Sequence, residues 1–316
     1  MKNCPICETS SADFLYNAKD FDNGIATFRL LRCCRCGLVR TNPHVPDNLL
    51  SRYYTNSYYG NRKNKFHPWL EYLTRTGARN RAKYLLHFLN DSAENNFRVL
   101  DIGCGRGVLL DELAKRNCDC HGLERHDFPV PVHHHGNSYH LGNLSNQLLP
   151  TNSFNLVVIW HVLEHLPEPK KTLQQAVGLM KTGAVLALAT PNFASRQARW
   201  FGANWFHLDI PRHFWHFTPE NLITICSEFE LELLEQSDRS FEQNIFGFLQ
   251  SALNRFFPGK PNRLYKLMHS SAQQQKWKLF LWLPIAGLVF PLALFEYLLT
   301  SKTNKGATII QYWKKC

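Results

Sequence analysis

The sequence predicts an α/β fold: a parallel sheet wrapped by helices, with a small cysteine-bearing module in front and an apolar insertion ahead of the last strand. Three observations predict it. Residues 99–107 read VLDIGCGRG and run into VLLDELAKR, the pattern of a strand, a tight turn and a helix. Further apolar runs of strand length, FNLVVIW (154–160) and AVLALATPN (184–192), are spaced by stretches able to form helices, as βαβ units require. Two C-x-x-C pairs, Cys4 with Cys7 and Cys33 with Cys36, stand at the front.

The front module comes first. Thiolates at this spacing, separated by a short β-like stretch, turn inward on one tetrahedral ion, which is the pattern of a zinc ribbon. Gly37 lets the backbone fold back after the second knuckle. Cys4, Cys7, Cys33 and Cys36 are therefore assigned to a structural zinc, with metal-free thiols or disulfides as the competing readings. No secretory signal is evident at the start of the chain, so a cytoplasmic setting is expected, and that setting disfavours disulfides. A closed four-sulfur site has no open position for water, so its loss is expected to destabilise the chain without touching its chemistry. Cys34 is an extra thiol beside the knuckle; Cys104, Cys118, Cys120, Cys226 and Cys316 read as free thiols.

Residues 46–94 read as a basic helical connector. RKNK (62–65), Arg75, Arg79, Arg81 and Lys83 interleave with Trp69, Leu70, Leu73, Leu85, Leu86 and Leu89, giving a helix with one polar face packed ahead of the first strand. The 316-residue chain carries a net charge of +11 and a pI of about 9.2, which suits nucleic acid, an anionic membrane surface or a phosphorylated substrate.

In an open parallel sheet, ligands sit at the carboxyl end of the first strand. Gly103, Gly105 and Gly107 allow backbone amides to approach such a ligand. The next strand, CDCHGLE, ends at Glu124, about 20 residues on, where an acid takes the ribose hydroxyls of a nucleoside. A nicotinamide dinucleotide is the structural competitor. Its G-x-G-x-x-G would need glycine at position 108, which is Val108.

DIGCGRG, Glu124, HVLEHL (161–166) and the strand ending in TPN together resemble a class I S-adenosylmethionine-dependent methyltransferase, over about 95–238 and again over GATIIQYWKK (306–315). The resemblance implies a Rossmann-like parallel sheet whose last strand is antiparallel, beside LELLEQ (231–236) at the sheet edge. It implies that Asp101, Gly103 and Gly105, with Cys104 between them, hold the methionine part of the cofactor. Glu124 would hold its ribose. Asn143 would lie near the adenine amino group, and Trp160 and His161 would line the cleft. The segments RCCRCGLVRTNP and YY-x4-YYG (53–60) resemble the zinc-binding module of a subset of bacterial enzymes, many of which methylate sugars, nucleotide-sugars or other intermediates of surface-polysaccharide synthesis. The domains are then 1–45 (zinc ribbon), 46–94 (connector or lid), 95–238 with 305–316 (methyltransferase domain) and 239–304 (apolar insertion).

The insertion contains LFLWLPIAGLVFPLALFEYLL (279–299), with Glu296 as its one charge and Lys276, Lys278, Lys302 and Lys305 on its flanks. It is long enough to cross a bilayer. Pro284 and Pro291 are expected to kink or break a helix there. If the strands on either side share one sheet, both ends of the run stay on the same side of a membrane and a single pass is excluded. The expected form is a broken, re-entrant or in-plane hairpin on a monotopic, cytoplasm-facing enzyme. A buried subdomain, an oligomer interface and a C-terminal anchor are the competing readings.

An oxygen or nitrogen acceptor needs a base, and histidine titrates in the right range. His161, His165, His207, His213 and His216 are the candidates, with His213 first and His165 second. The segment NWFHLDIPRHFWHFTPENL (204–222) is rich in aromatics that wall an acceptor pocket or pack the core, and Thr218-Pro219-Glu220 starts a helix. Ubiquinone-type O-methyltransferases, similar in fold, often show E-x-x-E-H after the fourth strand. Here His161, Glu164 and His165 occupy it, a divalent-ion site with histidine for the first acid. The run of histidines 133–135 reads as a surface loop.

Methyl transfer to a glycan or lipid-linked intermediate is the leading functional reading. O-methylation of a quinone-type aromatic lipid and methylation of nucleic acid are the alternatives, and a non-catalytic binding module is a further one. The sequence lacks an N/DPPY-like run for base-amine methylation, so a small or lipid-linked acceptor and a membrane surface are the expected partners, not nucleic acid.

Overall fold

The computed structural model describes residues 3–21, 24–54, 68–89, 96–125, 136–259, 261–268, 277, 279–300, 303 and 305–316. The RKNK run, residues 55–60 of the YY-x4-YYG segment, the run of histidines 133–135, and Lys276, Lys278 and Lys302 lie outside them.

The N-terminal module is a small antiparallel sheet of β1 (Ala12–Lys19), β2 (Thr27–Cys33) and β3 (Val39–Asn42). The basic connector forms a 20-residue helix, α1 (Pro68–His87), with Ala82 and Leu85 in the core. The main domain begins with β4 (Arg98–Ile102), the glycine turn and α2 (Val108–Ala114). It continues through β5 (Asp119–Glu124), β6 (Ser138–Leu141), β7 (Phe154–Trp160), α3 (Pro169–Leu179), β8 (Met180–Pro191) and α4 (Arg196–Phe201). Strand β9 (Trp215–His216) and helix α5 (Pro219–Cys226) lead to β10 (Leu231–Ser237). The insertion holds α6 (Phe241–Phe256), α7 (Arg263–Met268) and α8 (Leu279–Thr300), and β11 (Thr308–Lys315) closes the chain.

Seven strands form the main sheet in the order β10-β11-β8-β7-β4-β5-β6. From β8 to β6 neighbours are parallel, and β11 pairs antiparallel with both β8 and β10. The Rossmann-like sheet with an antiparallel last strand is thus present, although β10 is the edge strand and β11 lies one place in. Residues 154–159 of β7 and 184–191 of β8 are buried on both faces, as continuous apolar runs between two helical layers demand.

The ribbon is not a free-standing appendage. Its sheet takes a fourth strand, β9, from the middle of the main domain, with Val39 opposite His216 and Arg40 opposite Trp215. The Thr41 hydroxyl donates to the His213 carbonyl at 2.7 Å, and the Asn221 amide donates to the Cys36 carbonyl at 2.9 Å.

The apolar run departs from expectation. Pro284 and Pro291 do not break it, and α8 is a single 22-residue helix laid along α6. A proline removes the bond to the carbonyl four residues back, here Phe280 and Gly287. Both are exposed, so those carbonyls face outward rather than into the core. One stripe of α8, formed by Trp282, Ala286, Ala293, Glu296 and Thr300, is buried. The hairpin is therefore made by α6 and α8 together, not by a break within 279–299. Its two ends are tied to one another: the Gly306 amide donates to Asp238 Oδ2 at 2.7 Å, and the Asn244 amide donates to the Asp238 carbonyl at 2.8 Å.

Glu296 is the buried charge of this stripe. It accepts from Gln197 at 2.9 Å, and burial pushes its carboxyl up to about 7. The folded pKa is raised, so the stability it contributes is complete below the unfolded value near 4.5 and is lost as pH rises through about 7. Glu296→Gln is expected to leave the melting temperature unchanged at pH 4.5 and raise it at pH 8, by the equivalent of roughly 1–3 kcal/mol. An equal effect at both pH values in thermal melts contradicts this.

Candidate active site

Four sulfurs meet at the N-terminal knuckles. Cys4 Sγ lies 3.4 Å from Cys36 Sγ and Cys7 Sγ lies 3.4 Å from Cys33 Sγ, with all four within 4.8 Å of one another. A tetrahedral ion with Zn–S bonds of about 2.3 Å needs sulfur–sulfur edges of about 3.8 Å. The four cysteines fit a structural zinc in donor chemistry and in spacing.

The glycine turn after β4 builds the second site. Gly103 sits at φ +77°, a region L side chains rarely adopt, and a Cβ there would overlap the Val162 side chain. That close approach folds the chain after β7 against the turn. The Gly105 amide donates to Glu124 Oε2 at 2.8 Å, so the acid at the end of β5 stands beside the turn as the spacing predicts. Asp101 is buried. Burial pushes its carboxyl up to about 7, against the pull of Arg81 and with a further push from Glu124. Cys104 is held well above the usual thiol range by burial and by the same two acids, so it remains a neutral thiol.

A cavity of about 890 Å³ opens from this turn. Asp101, Gly103 and Cys104 form one end, and Trp160 and His161 from the end of β7 form the next wall. Gly105 and Glu124 stand behind the turn. Asn143 is exposed at the start of a helical turn after β6 and, like Gly105 and Glu124, is not part of the cavity lining; the Gly142 amide before it donates to the Glu124 carbonyl at 2.8 Å. The remaining residues fit S-adenosylmethionine: a buried carboxylate faces an enclosed volume, and a second carboxylate stands by a glycine turn too narrow for side chains.

The connector was expected to act as a lid, but sequence reasoning missed the contacts that α1 makes. The Arg81 guanidinium lies 4.0 Å over the Trp160 ring, and Arg106 of the turn pairs with the buried Glu71 at 3.1 Å. Both contacts hold α1 over the cofactor end. The charges were visible in the sequence, but their partners lie far along the chain or beyond a loop, and periodicity does not report them.

Past Trp160 the cavity reaches a cluster of titratable side chains. Glu164, His165 and His213 present ligand atoms within 4.8 Å of one another. Glu164 is 1% exposed, and neither of its oxygens accepts a hydrogen bond among the described residues. His161 Nδ1 lies 3.4 Å and His213 Nε2 3.9 Å from Glu164 Oε1. His213 Nδ1 is 2.9 Å from the His207 carbonyl, and His165 Nδ1 is 3.1 Å from the Arg212 carbonyl and 3.0 Å from the Tyr54 hydroxyl. A carbonyl only accepts, so both rings carry Nδ1–H and leave Nε2 as a lone pair toward the site. Burial lowers the pKa of both rings, His213 well below its ordinary value, so both stay neutral at physiological pH. Burial opposes charge on Asp209 as well, but the Arg212 guanidinium bonded to it holds its carboxyl below the usual range. Of the remaining aromatics, Phe206 lines the cavity, while Trp205, Phe214 and Trp215 pack in the core.

A family model described as a methyltransferase domain matches residues 66–236. The ubiquinone biosynthesis O-methyltransferase of Glaesserella parasuis is 26% identical over 170 residues, covering 48% of this chain and 72% of that enzyme. That of Haemophilus ducreyi is 25% identical over 162 residues, covering 46% and 69%. Among solved structures, a SAM-dependent methyltransferase from Methanosarcina mazei is similar over 47% of this chain and 85% of that one, at 18% identity and a TM-score of 0.38.

Two predictions follow from the two ends of this site. A cationic ligand at Asp101 lowers its raised pKa, so cofactor affinity rises as pH increases through about 7 and a proton is released on binding. Calorimetry between pH 6 and 8 is expected to show this, and Asp101→Asn to abolish it; a flat profile with no proton release contradicts it. Because Thr41 and β9 hold the 213–216 segment, Cys33→Ser is expected to lower the rate of methyl transfer more than it lowers cofactor affinity. Equal loss of both, tracking only the unfolded fraction, sinks that coupling.

Proposed function

The chain belongs to the methyltransferase-domain family and is an S-adenosylmethionine-dependent methyltransferase, and we propose that it methylates a small acceptor bearing a long apolar tail, of the lipid-linked glycan kind. One observation carries the reading. A single cavity runs from Asp101 at the cofactor turn, past Glu164, His165 and His213, to Leu283 and Phe290 of the apolar helix α8. A water-soluble sugar nucleotide has no use for the last of these walls.

The bound cofactor supplies an electrophilic methyl group on a sulfonium. The chain's own residues supply the rest. Asp101 and Glu124 fix the two ends of the cofactor, and Trp160 and Arg81 close its flank. Positioning donor and acceptor in a water-poor cleft accounts for most of the acceleration such a displacement needs. The acceptor's proton goes to a neutral imidazole: Nε2 of His213 first, Nε2 of His165 second. Glu164, unbonded and 3.4–3.9 Å from two histidines, favours the imidazolium that forms.

A second reading is supported by the same cluster. Glu164, His165 and His213 would hold a divalent cation, a donor set suited to an aromatic diol of the quinone type. The curated relatives act in ubiquinone biosynthesis, at an identity near one quarter.

The test is methyl transfer from labelled S-adenosylmethionine to a polyprenyl-phosphate-linked sugar, a prenylated catechol, and each acceptor without its tail. The tailed acceptors are expected to be methylated and the tailless ones to lose most of kcat/KM. His213→Gln and Glu164→Gln are expected to lower single-turnover rates by about 10²–10⁴-fold with cofactor affinity unchanged. Wild-type rates in both variants, or indifference to the tail, overturn the proposal.

A further inference from the structure

We infer that the α6–α8 hairpin docks in the plane of an anionic lipid bilayer, and that the end of the cavity lined by Leu283, Ala286 and Phe290 is the port through which a lipid acceptor enters. The docking stands on its own observations; the port rests on the function proposed above.

The exposed side of α8 is apolar throughout. Leu281, Leu288, Leu292, Phe295 and Leu299 recur at helical spacing and form one stripe, about 27 Å long at 1.5 Å per residue. Leu288 is 80% exposed and Phe295 61%. A helix apolar all round belongs inside a protein or a membrane, yet only the stripe from Trp282 to Thr300 is covered by protein. Next to the exposed stripe, the buried Ala286 and the part-exposed Leu283 and Phe290 line the end of the cavity. The same helix thus offers one face to the surroundings and one to the acceptor site.

Charge selects the occupant. Over the insertion, residues 239–304, the sequence holds eight Lys and Arg and two acids: Glu242, which lines the cavity, and Glu296, which is buried against Gln197. A second copy of this chain meeting the hairpin about a two-fold axis would bring together two segments with the same excess of positive charge. An anionic bilayer neutralises them, and each cation near such a surface adds to the attraction. Trp277, 60% exposed at the head of α8 between Lys276 and Lys278 in sequence, has the amphipathic character of interfacial anchors.

Geometry selects the mode. Asp238 and Gly306 are hydrogen-bonded to each other, so the insertion leaves and re-enters the domain at one place and α8 cannot be a single pass. Pro284 and Pro291 leave exposed carbonyls without helical partners, which is tolerable at a hydrated interface and costly in the hydrocarbon centre. The hairpin also reaches the chemistry. Gly247 of α6 lies so close to His207 that a Cβ would overlap the ring, and His207 Nε2 is 2.9 Å from the Gln243 carbonyl. The Ser251 hydroxyl accepts from the Phe206 amide at 2.8 Å. The lipid-facing element and the histidine segment are packed as one body.

The test is flotation of the full-length chain with vesicles of phosphatidylcholine alone or mixed with phosphatidylglycerol, without cofactor or acceptor. Binding is expected to the anionic vesicles and to weaken with salt. Leu288→Glu combined with Phe295→Glu is expected to weaken it about tenfold or more. The doubly substituted protein should keep its melting temperature and its calorimetric affinity for S-adenosylmethionine, since both positions are exposed. Two results overturn the inference: no preference for anionic vesicles, or a dimer in light scattering that the double substitution dissociates. Because the vesicles contain no acceptor, failure here leaves the methyl-transfer reading standing, and failure of methyl transfer leaves the docking standing.

Discussion

An ionisable carboxylate buried without a hydrogen bond is costly, and Glu164 is such a group. The rest of the structure is arranged around holding it there. Strand β7 ends at Trp160, and the helical turn beyond it places Glu164 past the carboxyl end of this central strand. The Phe214 amide donates to the Glu164 carbonyl at 2.9 Å, so the distant histidine segment is stitched to the same residue. Histidines 161, 165 and 213 then stand around the buried carboxyl group at the wall of the cavity. An isolated acid in that place would be a defect. Facing the neutral imidazoles of His165 and His213, it becomes a means of stabilising positive charge as it appears.

Three separate parts of the chain support that arrangement. The N-terminal cysteine module lends its sheet to β9 and fixes Thr41 against the His213 carbonyl. Asp209 and Arg212 pair beside His213, and Arg212 also donates to the Tyr53 carbonyl at 2.9 Å, tying the connector to the same loop. The insertion packs α6 on His207 and brings α8 to the far end of the cavity. Each part is an addition to an α/β sheet, and each reaches the site through direct hydrogen bonds or close packing. Such contacts keep reacting groups in place to within a fraction of an ångström.

Local signals in the sequence carried far. DIGCGRG gave the strand, turn and helix, because glycines at positive φ have no common substitute. The two C-x-x-C pairs gave four sulfurs in one place, because the knuckle spacing is itself geometric. LELLEQ and GATIIQYWKK gave paired strands. What stayed hidden was non-local. Nothing in the sequence near Arg81 announces Trp160, and nothing near Thr41 announces His213. Pro284 and Pro291 misled for a related reason: their local cost is real, but burial of Trp282, Ala286 and Ala293 outweighs it and the lost bonds fall on the exposed side. Asn143 was placed by analogy with other enzymes; it follows Gly142, whose amide donates to the Glu124 carbonyl at 2.8 Å.

The central claim is that donor and acceptor meet between Asp101 and Glu164 inside one cavity. The most direct measurement is a crystal structure with S-adenosylhomocysteine, the demethylated form of the cofactor. The account predicts its amino-acid portion at Asp101, its ribose at Glu124, and its sulfur facing the space bounded by His161, Glu164 and His213. Density for the sulfur pointing away from that cluster, or for the ligand bound elsewhere on the sheet, would contradict it.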